Sequence, residues 1–208
     1  MTTLGTSVNA RTPSGLKVAK MSYVKLEAVA EDLRVLLPTV KGYGGGKWKI
    51  DSWRILEQTL PRAQFNYYVA ESAELDECAA FTVPDNKLIV LRRDVYDGLF
   101  EDEAFSRSTV IHELAHIVLN HATTLHRGAT LGEHQFCEDS EWQAKALTAA
   151  VMMPIDACRA AHSAHDLSQL CGTSLQAATY RINKLVERGA LEAKRPSGGL
   201  FDVFKVNN

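Results

Sequence analysis

No run of the 208 residues approaches the roughly 18 consecutive apolar positions of a membrane-spanning helix, which sets aside an integral membrane protein. Residues 1–20 hold no continuous apolar stretch, so no signal peptide is expected and the cytoplasm is the default location. Cysteine is sparse: Cys78, Cys137, Cys158 and Cys171 lie far apart with no C-x-x-C pair. That spacing sets aside a disulfide framework and a four-cysteine zinc site, leaving scattered reduced thiols. An excess of charge of either sign is also lacking, and a net charge of −2 argues neither for nor against a nucleic-acid partner. What is present is an ordinary globular composition, 46% hydrophobic and 23% charged, in a chain long enough for one or two domains with a real core.

The stretch Ser108–His121, STVIHELAHIVLNH, stands out. Residues four apart on a helix share a face, so His112 and His116 can aim their imidazoles at one point. That arrangement suits two nitrogens on one Zn²⁺ at about 2.0–2.1 Å. Glu113 points to the side of that face, where it can reach a water beside the metal, the place of a metalloprotease general base. The surrounding Val110, Ile111, Leu114, Ala115, Ile117, Val118 and Leu119 mark a buried helix. A glutamate and two histidines are costly to bury unless something pairs them, and a metal with its water satisfies all three.

Along the chain, residues 1–20 read as a disordered tail. Helical spacing of apolar residues predicts a helix over Ser22–Leu37, stopped by Pro38. Lys41–Lys47 is glycine-rich but lacks the spacing of a phosphate loop, and reads as a flexible loop. Asp51 suits the N-cap of a short helix ending at Pro61. Phe65–Val69 and Cys78–Val83 are β-prone, Pro84-Asp85-Asn86 is a turn, and Lys87–Arg92 is a strand. Lys87–Arg92 could serve as an edge strand that receives substrate as an added strand, or as an ordinary sheet strand. A further helix is expected from about Gln135 to Met153, stopped by Pro154. Asp166–Cys171, a Gly172-Thr173 turn and Ser174–Arg188 then read as helix–turn–helix, and Leu191–Val206 as a hairpin, together a winged-helix-like unit. The layout is α+β: a catalytic domain over 21–155 with a small antiparallel or mixed sheet, then a C-terminal unit over 156–208.

A catalytic zinc commonly keeps three protein ligands. A His-x-x-Gly-x-x-His continuation fails, because Leu119 and Ala122 occupy the glycine and histidine places. The third ligand is then an acidic residue of a later helix, and spacing alone leaves Glu133, Glu138, Asp139 and Glu141 open.

Over roughly residues 22–190 the chain resembles the ImmA/IrrE family of metallopeptidases, whose H-E-x-x-H helix is followed by a helix of the form E-x-x-A…F-A…L-L-M-P. The corresponding residues here are Glu141-Trp142-Gln143-Ala144 and Thr148-Ala149-Ala150-Val151-Met152-Met153-Pro154, with Asn86–Val90 and Val95-Tyr96 resembling the family's approach to the helix. The resemblance implies a zincin-like fold and makes Glu141 the third ligand, with Glu138 as runner-up. It departs from the family at Ala115, Lys145 and Leu147, and Asn120-His121 displaces the histidine that often ends the motif helix.

The resemblance further implies limited proteolysis of a helix–turn–helix repressor of the phage type, relieving repression in a mobile element or a stress response. Zinc is the metal expected from two histidines and a glutamate, with manganese and iron as alternatives. Tyr96, His126 and His134 are candidates for the oxyanion stabiliser by residue type alone. Two other readings compete. One is a metal-stabilised module that binds a repressor without cutting it. The other is a DNA-binding regulator using Arg181, Lys184 and Arg188 on the second C-terminal helix. Glu187 and Glu192 interleave with that basic side, so a solvated charged face is preferred to a DNA-reading one.

Overall fold

The computed structural model describes residues 13–40, 46–121 and 134–192. The Lys41–Gly45 part of the glycine-rich loop, His126, Glu133 and the hairpin expected beyond residue 192 lie outside the described residues. Helix α1 is Tyr23–Leu36, capped by the Ser22 hydroxyl, which accepts from the Lys25 amide. Three short segments follow: α2 Ser52–Arg54, a π-helical stretch Ile55–Thr59, and α3 Leu60–Arg62. Pro61 therefore lies inside the helical run instead of closing it. Its missing N–H and its ring disfavour a regular α-turn, and the π-turn, in which the Leu60 amide donates to the Ile55 carbonyl, absorbs the mismatch.

Strands β1 Asn66–Ala70, β2 Ala80–Val83 and β3 Leu88–Arg92 form one mixed sheet in the order β1-β3-β2. β1 runs parallel to β3 and β2 antiparallel to it. The edge role considered for Lys87–Arg92 is thus corrected: β3 is hydrogen-bonded on both sides, with Ile89, Val90 and Leu91 buried. A nearly continuous apolar strand is what a central position requires. Helix α4 Ser72–Leu75 joins β1 to β2, and α5 Arg93–Gly98 follows β3.

Helix α6 Ala104–Val118 carries the motif and packs against α7 Ser140–Met152, which also packs on α1. α7 begins later than expected because a 3-10 turn, Phe136–Glu138, precedes it and the Asp139 carboxylate caps it, accepting from the Trp142 amide at 2.7 Å. α8 Ile155–Ala160, α9 Ala164–Cys171 and α10 Leu175–Glu187 complete the described elements. Leu26 of α1, Ile111 of α6, Leu147 of α7, Leu167 of α9 and Leu185 of α10 share one buried cluster, so the core continues across the boundary expected at residue 155.

The tail expected over residues 1–20 does not extend to residues 13–20. The Val18 amide donates to the Glu138 carbonyl at 2.7 Å, the Ser140 amide to the Leu16 carbonyl at 3.0 Å, and Val18 is buried. One apolar side chain and a set of backbone bonds fix this strap across the start of α7. No described helix is long and apolar enough to cross a membrane.

Candidate metal centre

The α-helical repeat puts His112 and His116 one turn apart on α6, and the α6–α7 packing brings the first turn of α7 against them. His112 Nε2 lies 3.3 Å from Glu141 Oε2, and His116 Nε2 lies 3.2 Å from Glu141 Oε1. The two Nε2 atoms are 3.1 Å apart. Hydrogen bonding to the two histidines holds the Glu141 carboxyl well below the usual carboxylate range, against the opposing effect of burial.

Three donors on one ion at zinc distances in tetrahedral directions stand about 3.3–3.4 Å apart. The observed separations are close to that value, with a different Glu141 oxygen facing each histidine, and one ligand atom from each of the three residues lies within 4.8 Å of the others. The other acidic candidates point elsewhere. Asp139 is buried as the α7 cap, its Oδ2 accepting from the Gly15 amide at 2.8 Å and standing 3.0 Å from His134 Nε2. Glu138 accepts from the Gln135 amide in its own capping box.

Glu113 is 5% exposed and borders a cleft of about 1250 Å³ together with His112, His116, Glu141, Phe81 and Thr82. Its Oε2 accepts from the Thr82 hydroxyl at 2.7 Å. Nothing local in the sequence marks Thr82, because it reaches Glu113 from the sheet edge. Lys145, one turn after Glu141, also lines the cleft and stands 3.7 Å from Glu141 Oε2.

His121, given no role by sequence, lies with its Nδ1 2.9 Å from His116 Nδ1 and its Nε2 3.2 Å from Gln143 Oε1. Burial, with the neighbouring His116 adding to it, lowers the His121 pKa to about 4, so the ring is neutral near pH 7. A signal for it existed in Asn120, a residue that tolerates the left-handed conformation it adopts (φ 53°) and so lets the chain double back after the helix. Of the oxyanion candidates, Tyr96 stacks on Tyr67 and meets Phe100 edge-on, and His134 pairs with Asp139; neither lines the cleft.

The basic side of α10 is not solvated as expected. Arg181 is buried and makes a two-pronged pair with Glu27 of α1 at 2.6 and 2.7 Å, its Nε donating to the Met153 carbonyl. The Arg188 guanidinium lies 3.9 Å from the Tyr23 ring centroid. These cations are spent on packing α10 to α1.

No curated protein matches this chain. A solved structure of a Mycobacterium tuberculosis transcriptional regulator is similar at 14% identity with a TM-score of 0.47, over 83% of this chain and 48% of that one, so this chain spans about half its length. A family model of metal-dependent peptidases matches α6 through most of α10, the region that contains both histidines, Glu113 and Glu141. Residues 101–183 of this chain match the family model of the IrrE N-terminal-like domain, Peptidase_M78.

Proposed function

We propose that this chain is a zinc-dependent endopeptidase acting in the cytoplasm on a helix–turn–helix transcriptional repressor. The observation that carries the reading is the convergence of His112, His116 and Glu141 beside Glu113 in a cleft bordered by strand β2. Bound there, zinc would supply Lewis-acid polarisation of the scissile carbonyl and acidify a water.

The chain's own residues do the rest. Thr82 occupies Oε2 of Glu113 and leaves Oε1 for a water. Glu113 takes a proton as the water oxygen bonds to the carbonyl carbon, then delivers it to the amine nitrogen as the C–N bond breaks. The substrate backbone is held by β2. The bond from the Arg92 amide to the Ala79 carbonyl makes Ala80↔Leu91 a non-hydrogen-bonded pair, so the backbone groups of Ala80 and Thr82 face the free edge. An extended peptide can add there as a fourth strand. The repressor as substrate rests on the family resemblance.

The test is incubation of the full chain with the repressor encoded beside its gene, with Glu113→Gln in parallel and metal measured in both. Cleavage by the wild type and a loss of about 10²–10⁴-fold in Glu113→Gln, with metal retained, are expected. Tight repressor binding without cleavage in either protein would support the sequestering module and refute the peptidase.

A further inference from the structure

Glu141 is the second residue of α7, in the opening turn, where intrahelical bonds do not yet hold the backbone amides. His112 and His116 lie beyond the first turn of α6, where the helix's own ladder bonds their amides. A ligand on an opening turn keeps its place only if something outside the helix fixes that turn, because helix ends fray.

The strap before α1 does so. The Gly15 amide donates to Asp139 Oδ2 at 2.8 Å, the Leu16 amide to Ser140 Oγ at 3.0 Å, and the Ser140 amide to the Leu16 carbonyl at 3.0 Å. Lys17 and Asp139 form an antiparallel bridge, and Gln143 Nε2 donates to the Ala19 carbonyl at 2.8 Å. Bonds to the strap thus hold the chain on both sides of Glu141.

Gly15 supplies the contact to Glu141 itself. It is buried, and a Cβ at this position would stand 2.6 Å from the Glu141 amide nitrogen, 2.6 Å from Ser140 Oγ and 2.9 Å from Glu141 Cγ. Its φ is not left-handed, so space rather than backbone conformation requires the glycine. One crowded atom is backbone, which cannot swing aside, and another is in the ligand's own side chain. Gly15 therefore lies against the root of the side chain whose Oε2 faces His112 at 3.3 Å and whose Oε1 faces His116 at 3.2 Å. We propose that Gly15, docked through the strap, is a positioning residue that sets the direction of Glu141 and so completes the three-ligand set, an inference that rests on the metal-site reading above.

The test uses the full chain. Zinc affinity is measured by chelator competition for wild type, Gly15→Ala, Glu141→Ala and the double variant, with thermal unfolding of the metal-free proteins alongside. Gly15→Ala should weaken zinc about 10–100-fold, the range for groups that orient a metal ligand, with the metal-free unfolding temperature little changed. In the Glu141→Ala background the same substitution should cost little more, because the ligand it misplaces is gone. If Gly15→Ala does not fold, Ser140→Ala reads the same docking. It removes the acceptor of the Leu16 amide and should weaken zinc about fivefold.

Wild-type zinc affinity in Gly15→Ala, or in Ser140→Ala where that variant stands in, would overturn the inference, and a lowered unfolding temperature beside it would reduce the strap to packing. Equal weakening with and without the Glu141 carboxylate would show that Gly15 does not act through Glu141, and would overturn it too. Both outcomes leave the metal site standing. A wild type that takes up no zinc would refute the metal-site reading itself, and this inference with it.

Discussion

Glu113 is a buried carboxylate whose burial cost is offset by a hydrogen bond from the Thr82 hydroxyl, a contact that also fixes its direction. Thr82→Val keeps a β-branched residue in the strand and removes the donor. We expect zinc binding to be unchanged and peptide kcat/KM to fall about tenfold, the value of one ordinary hydrogen bond; a wild-type rate would show that Thr82 does not orient the base. His112, Glu113 and His116 were legible in the sequence because one helix carries all three and its period fixes their directions. Thr82 was not, because it stands 31 residues away on another element. The thiols make a second residue-scale case. Burial pushes the Cys171 thiol from its ordinary 9.0 up to about 12. A raised thiol pKa contributes stability that is fully present below pH 9.0 and is lost as pH rises through about 12. Alkylation near pH ~8 should therefore modify exposed Cys78 quickly and buried Cys171 only on unfolding. Cys171→Ala should flatten the alkaline loss of stability, as chemical denaturation across that range will show.

Strand β2 is the element that separates a cleft able to hold a peptide from a bare metal site. Ala80→Pro deletes one edge-facing N–H without breaking a bond to β3. Peptide kcat/KM should fall by about tenfold or more with zinc content unchanged; an unaffected rate would place the substrate elsewhere. The existence of the three strands was readable from their β-branched and aromatic residues, but their order was not. Order depends on which faces neighbours cover, and the run Ile89-Val90-Leu91 was the one clue that β3 is central. Pro61 misled for a local reason, since a π-turn lets a helix continue past a proline that would otherwise stop it. For α7 the capping carboxylate of Asp139, rather than the apolar period, decides where the helix begins.

The molecule is held together by contacts distant in sequence. Glu27 and Arg181 lie 154 residues apart, and their pair joins α1 to α10. Arg181→Ala removes the two-pronged partner of the half-buried Glu27 carboxylate, which keeps only Arg188 at 3.4 Å, and should cost about 2 kcal/mol of stability, measured by urea unfolding; a loss near zero would mean that Arg188 and water replace it. The three- and four-residue spacing of Arg181, Lys184 and Arg188 was visible in the sequence, but whether such a face meets solvent or another helix is decided by α1. With Arg181 and Arg188 committed to packing, duplex DNA should bind weakly, and a salt-dependent shift by the full chain would contradict this. The claim on which the rest depends is that α6 and α7 together build one metal site. The measurement that tests it is equilibrium zinc binding to purified wild type and Glu141→Ala. The account predicts one zinc per wild-type chain and markedly weakened binding in Glu141→Ala. No zinc in the wild type, or unchanged binding in Glu141→Ala, would contradict it.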